Sequence, residues 1–387
     1  MVSTTTTTTI NTGATASGLL GLPRNVLLML PDYLHNIEDY MNVASTCRRL
    51  KELMSKAHPH TILCLAWEST RVFFRPSPYF LICAVARQLG NWARESDENE
   101  AELVADMPRG IDHLIDLALR KKQFGLTMAD IRRMHELRFS VINPVSDLVD
   151  KCVGRQWYET PNFWNGGVDD AYTIHAEADD TFFHLAIYGE LFGPDFEPFL
   201  DDSLSSQRRL RVDTRLEFVK YIIFDYETMS RCVWREDGSK DPRRAVIIHP
   251  DGPYFSDENG RCRSYLDNNK ALKWVMRSTR WRPHWRIARL DAGAGPDFVD
   301  SRGNGCAWRQ NMLEHIMQCQ GLEGLGMIRP ETDLANKYKP KIREWKKKIT
   351  HLREEPALVS VGPLNGTHEY PDLYGDLFIC ASGYPIP

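Results

Sequence analysis

The chain has 387 residues, 42% hydrophobic and 26% charged, close to ordinary globular usage, so most of it is expected to fold around real cores. A formal charge of -4 and a pI near 6.3 lack the basic footprint of a nucleic-acid binder, and nine scattered cysteines, an odd number, make no secreted disulfide framework. At about 150 residues per domain the length allows two or three domains.

Residues 1–18, with six consecutive threonines from Thr4 to Thr9, are low in complexity and are expected to be a disordered tail. The first basic residue is Arg24, so neither a secretory signal nor an Arg-rich transit sequence is expected. The longest apolar run, Tyr79 to Ala86, falls far short of the roughly 20 residues that a spanning helix needs. An intracellular chain, in cytoplasm or nucleus and away from the membrane, is the expectation.

Residues 19–60 read as a helical module. Pro23 suits the first turn of a helix, where its missing N–H would have had no partner. Val26, Leu27, Leu30 and Leu34 recur at three- and four-residue steps on one face. Pro31 is expected to stop or kink this helix near Leu30. Asn36 is placed to cap a second helix, with Asp39 at the positive end of its dipole. Tyr40, Val43, Ala44, Cys47, Leu50 and Met54 continue as an apolar stripe, with Arg48, Arg49, Lys51 and Lys56 off it. A segment this short does not normally fold unaided. Its apolar faces must meet the rest of the chain or another protein.

Leu22-Pro23, Val26-Leu27, Leu30, Leu34, Asp39 and Thr46-Cys47-Arg48-Arg49-Leu50 resemble the F-box, especially its fungal form. The resemblance stops near residue 56. It implies a three-helix module that docks on the Skp adaptor of a cullin-RING ubiquitin ligase, with the rest of the chain capturing a protein substrate. Carried over by position, Leu22, Pro23, Val26, Leu27, Leu30 and Leu34 would supply the first part of the adaptor-facing surface. Tyr40, Val43, Cys47 and Leu50 would supply core and adaptor contacts in the second helix. The chain departs from the family pattern at Arg24-Asn25, where an acidic residue is common, and at Pro31.

Residues 61–387 are expected to form a large, mainly helical substrate-binding region with a few short β-strands. From Pro78, Ile82, Val85, Ala86, Leu89 and Trp92 share a face; a second helix runs through Ile111, Leu114, Ile115 and Ala118. A third begins at Thr127, capped with Asp130 and carrying Ile131, Met134, Leu137 and Val141. No repeat of fixed period runs through the region. An aromatic-rich middle from Gln156 to Asp202 is read as core around a helix from about Asp170 to Leu191. Val212, Leu216, Val219, Ile223 and Tyr226 form a stripe expected to be buried. Ala245 to His249 reads as a strand ended by Pro250-Asp251-Gly252, with Leu358 to Val361 and Leu377 to Cys380 as candidate partners. Trp274, Trp281, Trp285 and Trp308 punctuate a basic stretch read as snorkelling cover. Lys337 to Arg353 is a basic amphipathic helix on a stripe of Ile342, Trp345, Ile349 and Leu352; a solvated charged face is the plain reading, as for Arg208, Arg209 and Arg211.

Glu177, Asp180 and His184 fall at helical spacing, but one helix gives only part of a metal shell, and a solvated acidic face is expected. Cys306, His315 and Cys319 lack the close Cys pair of a structural zinc site and are read as core. His58, His60 and Cys64 lie in a breaker with no fourth ligand evident. No nucleophile elbow, phosphate loop or dinucleotide fingerprint is present. The sequence therefore points to no catalytic site, metal or cofactor. Its partners by resemblance are the Skp adaptor, through it a cullin scaffold, and a protein substrate. The alternatives are a non-enzymatic helical scaffold or regulator outside a ligase, and a metal-dependent enzyme.

Overall fold

The computed structural model describes residues 18–68, 78–153, 178–222, 247–253, 255, 282–299, 307–329, 331–356, 378–379 and 385–386. The threonine run, most of the aromatic segment before residue 178, the basic stretch before residue 282 and Leu358 to Val361 lie outside them. The chain divides into two compact units, Met1–Arg75 and Pro76–Pro387. Both are mainly helical among the described residues, and no described helix is long and apolar enough to cross a membrane.

The first unit holds α1 (Arg24–Leu27), a 3-10 turn (Leu30–Tyr33), α2 (Ile37–Thr46), α3 (Arg48–Met54) and α4 (Pro59–Trp67). The units divide after Arg75, whereas the sequence suggested a boundary near residue 60, which falls inside α4. Helix α4 starts at Pro59 because proline at the first position gives up an N–H that would have stayed unpaired, and His58 Nδ1 accepts from His60 N at 3.2 Å.

The second unit is built on α5 (Pro78–Ala93), whose Ile82, Val85, Ala86, Leu89 and Trp92 are all buried as their spacing predicts. Around it come α6 (Asp97–Ala105), α7 (Asp112–Arg120), α8 (Met128–Leu137), a π turn (Arg138–Ile142) and α9 (Asn143–Val153). The capping box at Thr127 and Asp130 forms, and Ile131, Met134, Leu137 and Val141 face the core. Helix α6 was not foreseen, since DENEAELVA has little apolar periodicity. Its start is fixed by Ser96, whose hydroxyl accepts from Asn99 N at 3.1 Å, with three acidic residues in the first turn.

Helix α10 (Ala178–Phe192) packs along α5. The approach needs Gly90, where a Cβ would lie 2.8 Å from the carbonyl oxygen of Leu191. There follow α11 (Glu197–Leu200), α12 (Val212–Tyr221), α13 (Arg282–Asp291), α14 (Ala307–Gln318), α15 (Gly321–Leu325) and α16 (Asp333–His351). Helix α10 packs also on α9 and α15, and α16 on α13 and α14.

The minor sheet differs from expectation. Ile247–His249 is not a strand: Ile247 N donates to the Tyr221 hydroxyl at 2.8 Å instead of to a ladder. The turn after it does form, with Gly252 N bonded to His249 O at 2.9 Å. Phe378–Ile379 pairs antiparallel with Pro385–Ile386, a two-residue ladder closed within the C-terminal segment. Helix α12 also buries polar residues that the stripe did not include. Thr214, Arg215, Phe218, Lys220 and Tyr221 are buried and Val212 is half-buried, while Ile223 and Tyr226 lie outside the described residues.

Candidate functional site

The N-terminal module is held by a few directional bonds around a small core. Pro23 precedes α1, and its carbonyl accepts from Val26 N and Leu27 N at 3.1 Å each. Pro31 cannot donate and would crowd the carbonyl four residues back, so α1 ends at Leu27 and the chain tightens into the 3-10 turn, with Asp32 N bonded to Met29 O at 3.0 Å. Asn36 caps α2, its Oδ1 accepting from Asp39 N at 2.9 Å. The second helix then breaks at Cys47, which is extended (φ -160°, ψ 163°), so the expected continuous stripe spans two helices, α2 and α3. Ser45 and Thr46 donate to the carbonyls of Met41 and Asn42, back-bonding that bends and weakens a helix end.

Three further bonds lock the module. The Tyr40 hydroxyl donates to Met54 O at 2.5 Å, fastening α2 to the end of α3. Thr61 Oγ1 donates to Asp32 Oδ1 at 2.9 Å, fastening α4 to the 3-10 turn. Arg49 Nη1 donates to Leu20 O at 2.9 Å and so holds the turn Leu19–Gly21 on α3.

The residues assigned to the adaptor surface separate into three groups. Leu27, Tyr40 and Leu50 are core, Leu27 with 0% of its surface exposed, beside Ile37, Leu53, Met54, Ile62 and Leu63. Leu30, Leu34, Val43 and Cys47 are half-buried. Leu22, Pro23 and Val26 are exposed, Leu22 and Val26 at 40% each. The sequence missed other exposed apolar side chains here: Leu19, Leu20, Leu28, Met29 at 48%, Tyr33 at 70%, and Trp67. In LLMLPDYL nearly every position is apolar, so periodicity could not sort inward from outward. Only the break after Leu27 decides it.

In the second unit, three of the titratable side chains singled out by the sequence are buried. His184 is buried beside the Tyr79 ring at 5.8 Å, not on an acidic solvated face, and burial holds its pKa down to about 4. Glu177 lies outside the described residues. His315 and Cys319 are core, as expected; burial lowers the first to about 4 and raises the second to about 12, which leaves the thiol protonated and unreactive near neutrality. Among the described residues no group of three or more His, Cys, Asp or Glu side chains is placed to hold a metal.

A buried ionic centre escaped the sequence reading. Asp195 accepts from Arg94 Nε at 2.7 Å through one oxygen and from Arg215 Nη2 at 2.6 Å through the other, and Leu210 N adds a bond at 3.2 Å. Arg94 Nη2 also donates to Leu191 O at 2.6 Å, and the Arg215 guanidinium lies over the Phe192 ring, 5.2 Å from its centroid. A second buried carboxylate, Glu100, accepts from Thr214 Oγ1 at 2.6 Å, Arg211 N at 2.7 Å and Arg208 Nη2. Arg208 and Arg211 therefore serve a buried acid instead of a solvated face. The bonds from Arg94 to Asp195 and from residues 208–214 to Glu100 join residues over a hundred positions apart, and no local spacing announces them. Compared with known proteins, the chain matches no family model, no curated protein and no solved structure.

Proposed function

We propose that this chain is the substrate receptor of an SCF-type cullin-RING ubiquitin ligase. The N-terminal module is its F-box, with α1 and the 3-10 turn as a broken first helix and α2 and α3 as the second and third, and it binds the Skp adaptor. The second unit holds a protein substrate. The chain carries no catalytic group of its own; it acts by proximity, keeping substrate near the charged carrier enzyme so that a bimolecular encounter becomes effectively intramolecular. The reading places it in the cytoplasm or nucleus.

The observation that carries this reading is the crowding of exposed apolar side chains into the start of the module: Leu19, Leu20, Leu22, Val26, Leu28, Met29 and Tyr33. Scattered exposed leucines need no explanation, but a contiguous run of them marks a surface that a partner covers. The core beneath is already filled by Leu27, Ile37, Tyr40, Leu50 and Met54, so these side chains are not waiting for their own module to fold.

The test is co-purification of the Skp adaptor with the wild-type chain and with a Leu22→Asp, Val26→Asp variant, with circular dichroism as the fold control. Both positions are exposed, whereas Leu27→Asp would put a charge into the core and unfold the module. Wild-type capture with at least about tenfold weaker binding by the folded variant is expected. Absence of adaptor binding by wild type, or equal binding by the variant, refutes the reading and leaves the module as part of a scaffold.

A further inference from the structure

Helix α16 turns Leu334, Ala335, Tyr338, Ile342 and Ile349 inward and leaves Lys337, Lys341, Arg343 and Lys347 exposed. Between Lys337 and Arg353 there are eight Lys and Arg against one acid, Glu344, in a chain whose net charge is -4. Part of this charge is spent within the fold. Lys337 pairs with Glu323 at 2.7 Å, Arg343 donates to Ala292 O at 2.8 Å, and Lys346 donates to Pro296 O and lies over the Phe298 ring. Among the described residues, Lys339 and Lys347 have no carboxylate partner, and with Arg343 between them they stand at four-residue steps along one side of the helix.

Helix α13 packs on α16, and Arg343 meets it at Ala292, just beyond its last residue. Trp285, Ala288 and Arg289 of α13 face inward, which leaves Arg286, Ile287 (45% exposed) and Leu290 (49%) outside. Ile287 and Leu290 are three apart and so neighbour one another on the helix surface. An aliphatic pair thus stands next to the end of α13 that the basic helix touches.

The chemistry of this face selects its partner. Nucleic acid is bound by cations interleaved with aromatic rings that stack on bases. Here Tyr338 is buried and Trp345 half-buried, while the exposed apolar groups are aliphatic. A membrane-surface helix needs a free apolar side, and that of α16 is already in the core. We propose that this face docks an acidic segment of a partner protein, whose carboxylates meet Lys339, Arg343 and Lys347 and whose apolar side chains cover Ile287 and Leu290. The proposal is independent of the adaptor reading. Within that reading this would be a substrate-facing surface.

The test uses the full chain and fluorescence anisotropy with a labelled short peptide of interspersed Glu and Leu, its Gln counterpart, and a labelled single-stranded oligodeoxythymidine. The Glu peptide is expected to bind, to weaken with added salt, and to lose about tenfold in affinity against Lys339→Glu, Lys347→Glu and against Ile287→Ser, Leu290→Ser, with thermal midpoints unchanged. No measurable binding, equal binding of the Gln peptide, or indifference to the lysine reversals overturns the proposal. Tighter binding of the oligonucleotide through the same lysines overturns it in favour of a nucleic-acid surface. Because the adaptor is absent from this assay, its outcome is separate from that of the adaptor test.

Discussion

Asp195 sits between two guanidiniums, and all three side chains are out of water, with 6% of Arg94, 2% of Arg215 and none of Asp195 exposed. Asp195→Asn keeps the shape and removes the charge, leaving two buried cations uncompensated. A loss of about 3–5 kcal/mol is expected, read as a lower urea midpoint at unchanged slope. Gly321 is a second constrained position. Its φ of +71° favours glycine, and a Cβ there would overlap the Glu190 carboxylate, which accepts from Arg87 Nε at 2.9 Å and Leu322 N at 3.3 Å. Gly321→Ala should cost about 1–3 kcal/mol from the backbone alone, measured the same way. Neither residue was legible in the sequence. A lone Asp in Gly-Pro-Asp-Phe and a Gly after Cys-Gln look like ordinary loop residues, and their roles come from partners far along the chain.

Whole helices were easier to read wherever one face is purely apolar. The stripes in α5 and α8 and the Thr127 capping box lie where the spacing put them, because periodicity records burial directly. In α16, Ile342 and Ile349 are buried and Trp345 and Leu352 are half-buried. Periodicity says nothing of the buried polar residues Thr214, Arg215 and Lys220 on α12, or of Glu100 on α6. In the module the signs for capping were readable at Asn36, but the separation of α2 from α3 at Cys47 was not, since an unbroken helix fits the same apolar spacing. That break makes the Tyr40 to Met54 bond the fastening between the two helices. Tyr40→Phe keeps the ring and deletes the donor, and should destabilise the module by about 1 kcal/mol. Thr127→Ala should cost about the same at α8, through loss of the cap. Urea melts of each variant check both values.

Acid sensitivity belongs to the whole molecule. His113, His184 and His315 are buried in the second unit, and burial lowers each from the ordinary 6.5 to about 4. Between those values the unfolded chain takes up protons that the folded chain refuses. Stability is therefore complete above pH 6.5 and falls as the pH drops towards 4, by up to about 3 kcal/mol for each histidine. Urea midpoints should decline across that window, and His184→Phe should flatten part of the slope; a midpoint independent of pH there would contradict the burial described. Assembly order is constrained as well. Arg94 lies just past α5, Asp195 in the turn after α10 and Arg215 on α12, so neither guanidinium can be buried dry before the Asp195 carboxylate reaches it. For Arg94, desolvation and neutralisation must therefore coincide, and they do so only when a loop of about a hundred residues has closed between it and Asp195. Forms in which Asp195 has not yet arrived are thus kept open and wet around both arginines.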